Sequence, residues 1–123
     1  ICDDESRTRD ALKALLLARD MNQNAATSTT IQVVGEARDG DEAIRLMDIY
    51  EPEVVVMDAC MPGMSGIEAT RLIKRKWPGV KVVMLTMYSE QRQAALEAGV
   101  DIFLNKGCVT EKLFDAILNE DQN

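Results

Sequence analysis

Three aspartates, one threonine and one lysine stand at the ends of apolar runs. Asp3 and Asp4 follow Ile1 and Cys2, Asp58 follows Val54 to Met57, Thr86 follows Val80 to Leu85, and Lys106 comes just after Ile102 to Leu104. Short β-branched runs of this kind read as buried strands. If they lie side by side and parallel, their ends bring three carboxylates, a hydroxyl and an ammonium to one edge. At a separation of about 4 Å, two carboxylates repel by about 4 kcal/mol at an effective dielectric near 20, so such acids call for protonation or a cation. Oxygen donors suit Mg²⁺, which takes few protein ligands and keeps waters beside a phosphate. A hydroxyl and an ammonium suit phosphoryl oxygens. Singly, each residue has a plainer reading: an aspartate caps a helix or makes a turn, Thr86 is an ordinary strand residue, Lys106 a solvated charge. Together they predict a site for a metal and a phosphoryl group.

The elements that would position these groups alternate. Ile31 to Val34 reads as a further strand. Amphipathic stretches lie between the apolar runs, with Leu12, Leu15 and Leu16 on the inner face of a first helix, Ala43, Ile44 and Met47 on a second, Ile67 and Ile73 on a third, and Leu113, Ala116 and Ile117 on a last one. A weaker helix is expected between Ser89 and Ala98. Ser65 with Glu68 forms a capping-box pattern, Asp39 and Thr110 are candidate N-caps, and Pro52 and Pro78 precede strands. Alternating β and α with right-handed crossovers gives an α/β, doubly wound parallel sheet whose site lies beyond the carboxyl ends of its strands. Two stretches depart from this regularity. Only Ile1 and Cys2 precede the first acidic pair, so the first strand reads as truncated at the N-terminus, with upstream residues missing. The polar stretch Met21 to Thr30 is expected to be a mobile surface loop, being longer than the roughly 2–6 residues usual between a helix and a strand.

Composition narrows the chemistry. A chain of 123 residues, 46% hydrophobic, is enough for one domain with its own core. The net charge of −7 disfavours direct contact with nucleic acid or an anionic membrane. The absence of histidine excludes a Ser-His-Asp triad, a Cys-His pair and HExxH zinc chemistry. Cys2, Cys60 and Cys108 are odd in number and form no CxxC pair, so they read as reduced thiols. With no apolar run of membrane-spanning length and no leader pattern, the chain reads as cytoplasmic.

The segments DD at 3–4, VVVMDACMPGMSGIEA at 54–69, VVMLTMYS at 82–89 and FLNKG at 103–107 resemble, in order and spacing, the motifs of response-regulator receiver domains. The resemblance spans nearly the whole chain and implies a receiver domain over 1–123, with no output domain in this chain. The implied fold is a five-stranded parallel sheet of order 2-1-3-4-5 flanked by five helices, the flavodoxin-like plan. It further implies that Asp58 is the phosphoacceptor, that Asp4 ligates Mg²⁺ directly and Asp3 through water, and that the backbone carbonyl of Cys60 adds a third contact. Thr86 and Lys106 would hold the phosphoryl oxygens, and Phe103 would be the aromatic partner of Thr86 in switching. Met87 stands where the family most often has a small residue, which leaves phosphoryl lifetime open. The stretch VVGEARDGDEAI at 33–44, with LTMYS and NKG, is similar to the subgroup often joined to helix-turn-helix domains of the NarL/LuxR type.

The resemblance implies no enzyme in the usual sense, since such a domain catalyses only its own phosphorylation and dephosphorylation. The phosphodonor would be a histidine of a separate sensor kinase. The output would be a homodimer or an attached domain, for transcription by the subgroup's habit, reached through the face made by the Ser89 to Ala98 helix, the Ile102 to Leu104 strand and the helix after Thr110. Three rivals share parts of this pattern. A haloacid-dehalogenase-like phosphatase would carry a second Asp two residues after its nucleophile, where Cys60 stands. A flavin-binding flavodoxin would not place Asp3, Asp4 and Glu5 where its phosphate loop belongs. A receiver-like module that has lost phosphorylation would lack some of these polar residues, and all are present.

Overall fold

The structure, a computed structural model, describes residues 1–21, 31–108 and 111–118. Chain order is α1 (Ser6–Met21), α2 (Gly40–Tyr50), β1 (Val54–Asp58), α3 (Gly66–Lys76), β2 (Lys81–Thr86), α4 (Arg92–Ala98), β3 (Ile102–Asn105) and α5 (Glu111–Leu118), with 3-10 turns at Ser89–Gln91 and Lys106–Cys108. Three strands pair in parallel in the order β1-β2-β3, with Asp58 opposite Leu85 and Thr86 opposite Asn105. The alternation along β1 and β2 divides the core in two. Val55, Met57, Val82 and Met84 face one layer with Ala43, Met47, Ala69, Ile73 and Ala95 of α2, α3 and α4. Val56, Val83 and Leu85 face the other with Leu12 and Leu16 of α1 and Leu113, Phe114 and Ala116 of α5. Both faces of the sheet are therefore covered, which is why its strands are apolar throughout rather than alternating.

Cys2 bridges Ala37 on one side and Met57 on the other, both in parallel sense. The bonds Cys2 N–H to Val56 O (2.8 Å), Asp58 N–H to Cys2 O (2.8 Å) and Asp3 N–H to Ala37 O (2.9 Å) hold residues 1–3 between β1 and the segment 31–37. Here the structure corrects the sequence reading. Ile31 to Val34 forms no strand, and pairing on that side is limited to the bridge at Ala37. The described backbone bonds on that side, from the Ile1 amino group to Gly35 O, Ala37 N–H to Ile1 O and Asp3 N–H to Ala37 O, join residues 35–37 and do not reach 31–34, and a strand needs such a ladder. A cavity of about 650 Å³ remains there, lined among others by Ile1, Ile31, Val33, Val54 and Ile117. Where five strands were expected, the described residues form three strands and two isolated bridges.

The helix ends follow their caps. Asp39 accepts from Glu42 N–H at 2.9 Å at the start of α2, and Ser65 accepts from Glu68 N–H at 3.2 Å at the start of α3. The expected weak helix is a 3-10 turn leading into α4, which Gly99 ends in the left-handed region at φ 109°. The Thr110 cap and the 22–30 part of the expected loop lie outside the described residues. No described helix is long and apolar enough to cross a membrane.

Candidate functional site

Two of the three expected acids arrive on the backbone of the sheet itself. Asp58 is the last residue of β1, and the bonds from Cys2 to β1 set Asp3 beside it. Gly66 fixes the depth of the β1–α3 connection, because a Cβ there would overlap the backbone carbonyl of Asp58. Only glycine lets α3 begin so close to the strand it follows.

Ligand oxygens of Asp3, Asp4 and Asp58 all lie within 4.8 Å of one another. Asp3 and Asp58 are buried and Asp4 is exposed. Lys106, just past β3, enters this group with Nζ 2.9 Å from Asp3 Oδ2 and 3.4 Å from Asp58 Oδ1. The other Asp3 oxygen, Oδ1, accepts from Glu5 N–H at 3.0 Å, so both oxygens of that carboxylate are engaged. Arg9 of α1 donates to the Asp3 carbonyl at 2.7 Å and pairs with Glu36 at 3.1 Å, tying α1 to the segment 31–37.

One lysine stands against three carboxylates at this edge, two of them buried. Burial, and then the charge of Asp3, push the Asp58 carboxyl above the usual carboxylate range, against the opposing pull of Lys106 and of the Cys60 N–H. Burial alone would lower Lys106, but its hydrogen bond to Asp3 and the charges of Asp58 and Asp3 outweigh that and raise it. A set of oxygen donors with uncompensated negative charge fits a hard divalent cation such as Mg²⁺.

Thr86 ends β2 on the same edge and is buried. Its hydroxyl accepts from Tyr88 N–H at 3.1 Å and faces Gln91 Oε1 at 3.5 Å. The Gln91 amide also lies 3.6 Å from Cys60 Sγ through both its oxygen and its nitrogen. Met87 and Tyr88 are exposed beside it. Phe103 in β3 sits opposite Met84, partly buried against the α2–α3–α4 side of the core, with the Arg92 guanidinium 5.8 Å from its ring centre. Asp3, Asp4, Asp58, Thr86 and Lys106 thus come to the edge, and Phe103 lies two residues before the end of β3. Gln91 and Arg9 belong to no motif; their sequence signal is a polar residue five positions after Thr86 and a basic residue one turn into the first helix.

Residues 1–118 match the response regulator receiver domain family. The chain belongs to that family. Over 94 residues the receiver domain is 39% identical to the response regulator protein VraR of Staphylococcus aureus, an alignment covering 75% of this chain and 45% of that protein, so it spans under half the length of such relatives. A two-component response regulator of the LuxR family from Aurantimonas sp. SI85-9A1 superposes with TM-score 0.79 at 32% identity, covering 94% of this chain and 78% of that one. The response regulator TrrA of Thermotoga maritima, in complex with Mg²⁺ and BeF, superposes with TM-score 0.77 at 27% identity, covering 94% and 91%. This is the receiver domain of a response regulator related to the LuxR-family regulators.

Proposed function

We propose that this receiver accepts a phosphoryl group on Asp58 from a phosphohistidine of a sensor histidine kinase, in a Mg²⁺-dependent reaction in the cytoplasm. The observation that carries the reading is the meeting of Asp3, Asp4 and Asp58 within 4.8 Å at the edge where Lys106 already bridges two of them. In the transfer an Asp58 carboxylate oxygen forms the new O–P bond as the P–N bond to the donor imidazole breaks, and the imidazole leaves with that electron pair. Such a reaction needs positioning and charge neutralisation more than a base. Lys106 moves its bond from Asp3 to a phosphoryl oxygen, and the Thr86 hydroxyl turns to donate to another. Asp4, Asp58 and the Cys60 carbonyl would hold Mg²⁺ directly and Asp3 through water, an assignment favoured by the occupied oxygens of Asp3. When bound, the ion neutralises acidic and phosphoryl oxygens.

The domain acts on no other substrate and catalyses only its own phosphorylation and dephosphorylation. Its output is a changed face made of α4, β3 and α5, used for a homodimer or for an attached domain that controls transcription. With a net charge of −7 the segment itself contacts no DNA. The finer fold follows the same reading: residues 1–3 and 31–37 take strand places one and two of a five-stranded sheet of order 2-1-3-4-5, a view supported by the two bridges of Cys2.

Intact mass after acetyl phosphate and Mg²⁺ tests the acceptor. The unmodified chain should gain one phosphoryl group and Asp58→Asn none; a phosphorylated Asp58→Asn protein would overturn the assignment. Calorimetry tests the metal, and Asp4→Ala should weaken Mg²⁺ binding. Fluorescence is a poor reporter, because Trp77 lies at the far end of α3 from Asp58, roughly 16 Å along the helix at 1.5 Å per residue.

A further inference from the structure

Gln91 is the last residue of the 3-10 turn between β2 and α4, and it is half-buried. Its amide reaches across the mouth of the site, from Cys60 in the loop after β1 to the Thr86 hydroxyl at the end of β2. The Thr86 hydroxyl has one proton. It accepts from Tyr88 N–H, which leaves the proton to be donated, and Gln91 Oε1 at 3.5 Å is an acceptor within its reach. To donate to a phosphoryl oxygen on Asp58, the hydroxyl must first leave Gln91.

We propose that Gln91 is a positioning residue, a neutral latch that holds the Thr86 hydroxyl proton and ties the β2–α4 loop to Cys60 until a phosphoryl group draws the hydroxyl away. The proposal rests on the phosphoryl-acceptor reading of Asp58. The latch is weak by design of its geometry: at 3.5 Å the oxygen–oxygen contact is at the long limit of a hydrogen bond, and the sulfur contacts are weak donors and acceptors. Releasing it should therefore favour the phosphorylated arrangement by about two- to five-fold, within the range of an ordinary net hydrogen bond.

The probe is beryllofluoride, titrated with saturating Mg²⁺ and followed by NMR in the unmodified chain, Gln91→Ala, Gln91→Glu, Thr86→Ala and the Thr86→Ala/Gln91→Ala double variant. Gln91→Ala should bind beryllofluoride about two- to five-fold more tightly. Without beryllofluoride, its Tyr88 amide signal should already lie part-way to the bound position. Gln91→Glu keeps the acceptor and adds a negative charge beside the incoming anion, so it should bind more weakly than the unmodified chain. The tightening by Gln91→Ala should vanish in the Thr86→Ala background, because the latch acts only through that hydroxyl. Equal affinity of Gln91→Ala or Gln91→Glu and the unmodified chain, or the same fold-change with and without Thr86, would overturn the latch while leaving the acceptor reading intact. If the unmodified chain showed no beryllofluoride-dependent shifts, the acceptor reading would fail, and the latch with it.

Discussion

Asp58 and Thr86 end neighbouring strands within a residue of each other in register, yet their surroundings differ in kind. Asp58 shares one lysine with Asp3, and burial together with the Asp3 charge leaves its ionised form disfavoured. Thr86 sits among neutral groups, its hydroxyl accepting an ordinary bond from Tyr88 N–H at 3.1 Å and facing Gln91 Oε1 at the long distance of 3.5 Å. The acidic half stores electrostatic repulsion that a cation or a proton relieves. The hydroxyl half stores almost none, and its contact with Gln91 is long and weak enough to give way. One half should therefore respond to pH and metal, and the other to the arrangement of its neighbours alone.

The largest expected effect comes from removing the cation that holds the acidic half together. Lys106→Ala leaves Asp3 and Asp58 facing each other without their shared partner. Because Lys106 keeps about a fifth of its side chain exposed, the loss should be about 2 kcal/mol near neutral pH, below the 3–5 kcal/mol of a fully buried broken pair. Lys106 is raised in the folded protein, so its stabilisation is fully present below its ordinary value of 10.5 and is lost only as pH rises through the higher folded value. The loss on mutation is thus a property of the whole neutral range. Mg²⁺ should restore more stability to Lys106→Ala than it adds to the unmodified chain, since it no longer competes with the ammonium. Equal increments of Mg²⁺ in urea unfolding of the two proteins would mean that the lysine and the metal do not share a site.

A smaller effect, of opposite sign, is expected at Asp58. A carboxyl raised in the folded state destabilises the fold once ionised, and that cost disappears as pH falls through the folded value toward the ordinary 3.8. Asp58→Asn should therefore melt a few degrees higher than the unmodified chain at neutral pH without metal, and the gap should close as pH approaches 4. Saturating Mg²⁺ should narrow or reverse it by stabilising only the carboxylate. Thermal melts across pH check this, and a variant that melted lower than its parent at pH 7 would remove the idea of stored repulsion.

How far the sequence shows these two halves differs between them. The acids, Thr86 and Lys106 were legible because each ends an apolar run, and parallel strands bring such ends together whatever the loops do. The helices and their Asp39 and Ser65 caps were legible for the same local reason. Ile31 to Val34 forms no strand although its apolar pattern suggests one, because a strand is defined by its partner, and the observed pairing of that segment is the bridge at Ala37. Gln91 was invisible because its contacts with Thr86 and Cys60 join two loops from separate strands, and a lone glutamine in a 3-10 turn has no periodicity to betray it. The same holds for Arg9, whose acceptor is a backbone carbonyl.

The smallest effect, and the most diagnostic, belongs to the hydroxyl half. Thr86→Ala removes the acceptor of Tyr88 N–H and should cost about 1 kcal/mol of stability, the net worth of one neutral hydrogen bond. No proton is taken up or released at this group, so that cost should be the same at pH 5 and pH 8, and with or without Mg²⁺, unlike both variants above. The acceptor carboxylate remains, so phosphorylation should persist at a reduced rate. What should fail is transmission. Thr86 pairs with Asn105 at the end of β3, and Phe103 lies two residues earlier on that edge strand against the α4 side of the core. An inward turn of the hydroxyl toward a phosphoryl group vacates room on that side, and the Phe103 ring under Arg92 is placed to follow. Phosphorylation can move this equilibrium only as far as it favours one arrangement over the other. NMR with beryllofluoride and Mg²⁺ should therefore show shifts around Phe103 and α4 in the unmodified chain that are reduced in Thr86→Ala. Equal shifts in both proteins would place the coupling elsewhere than in Thr86.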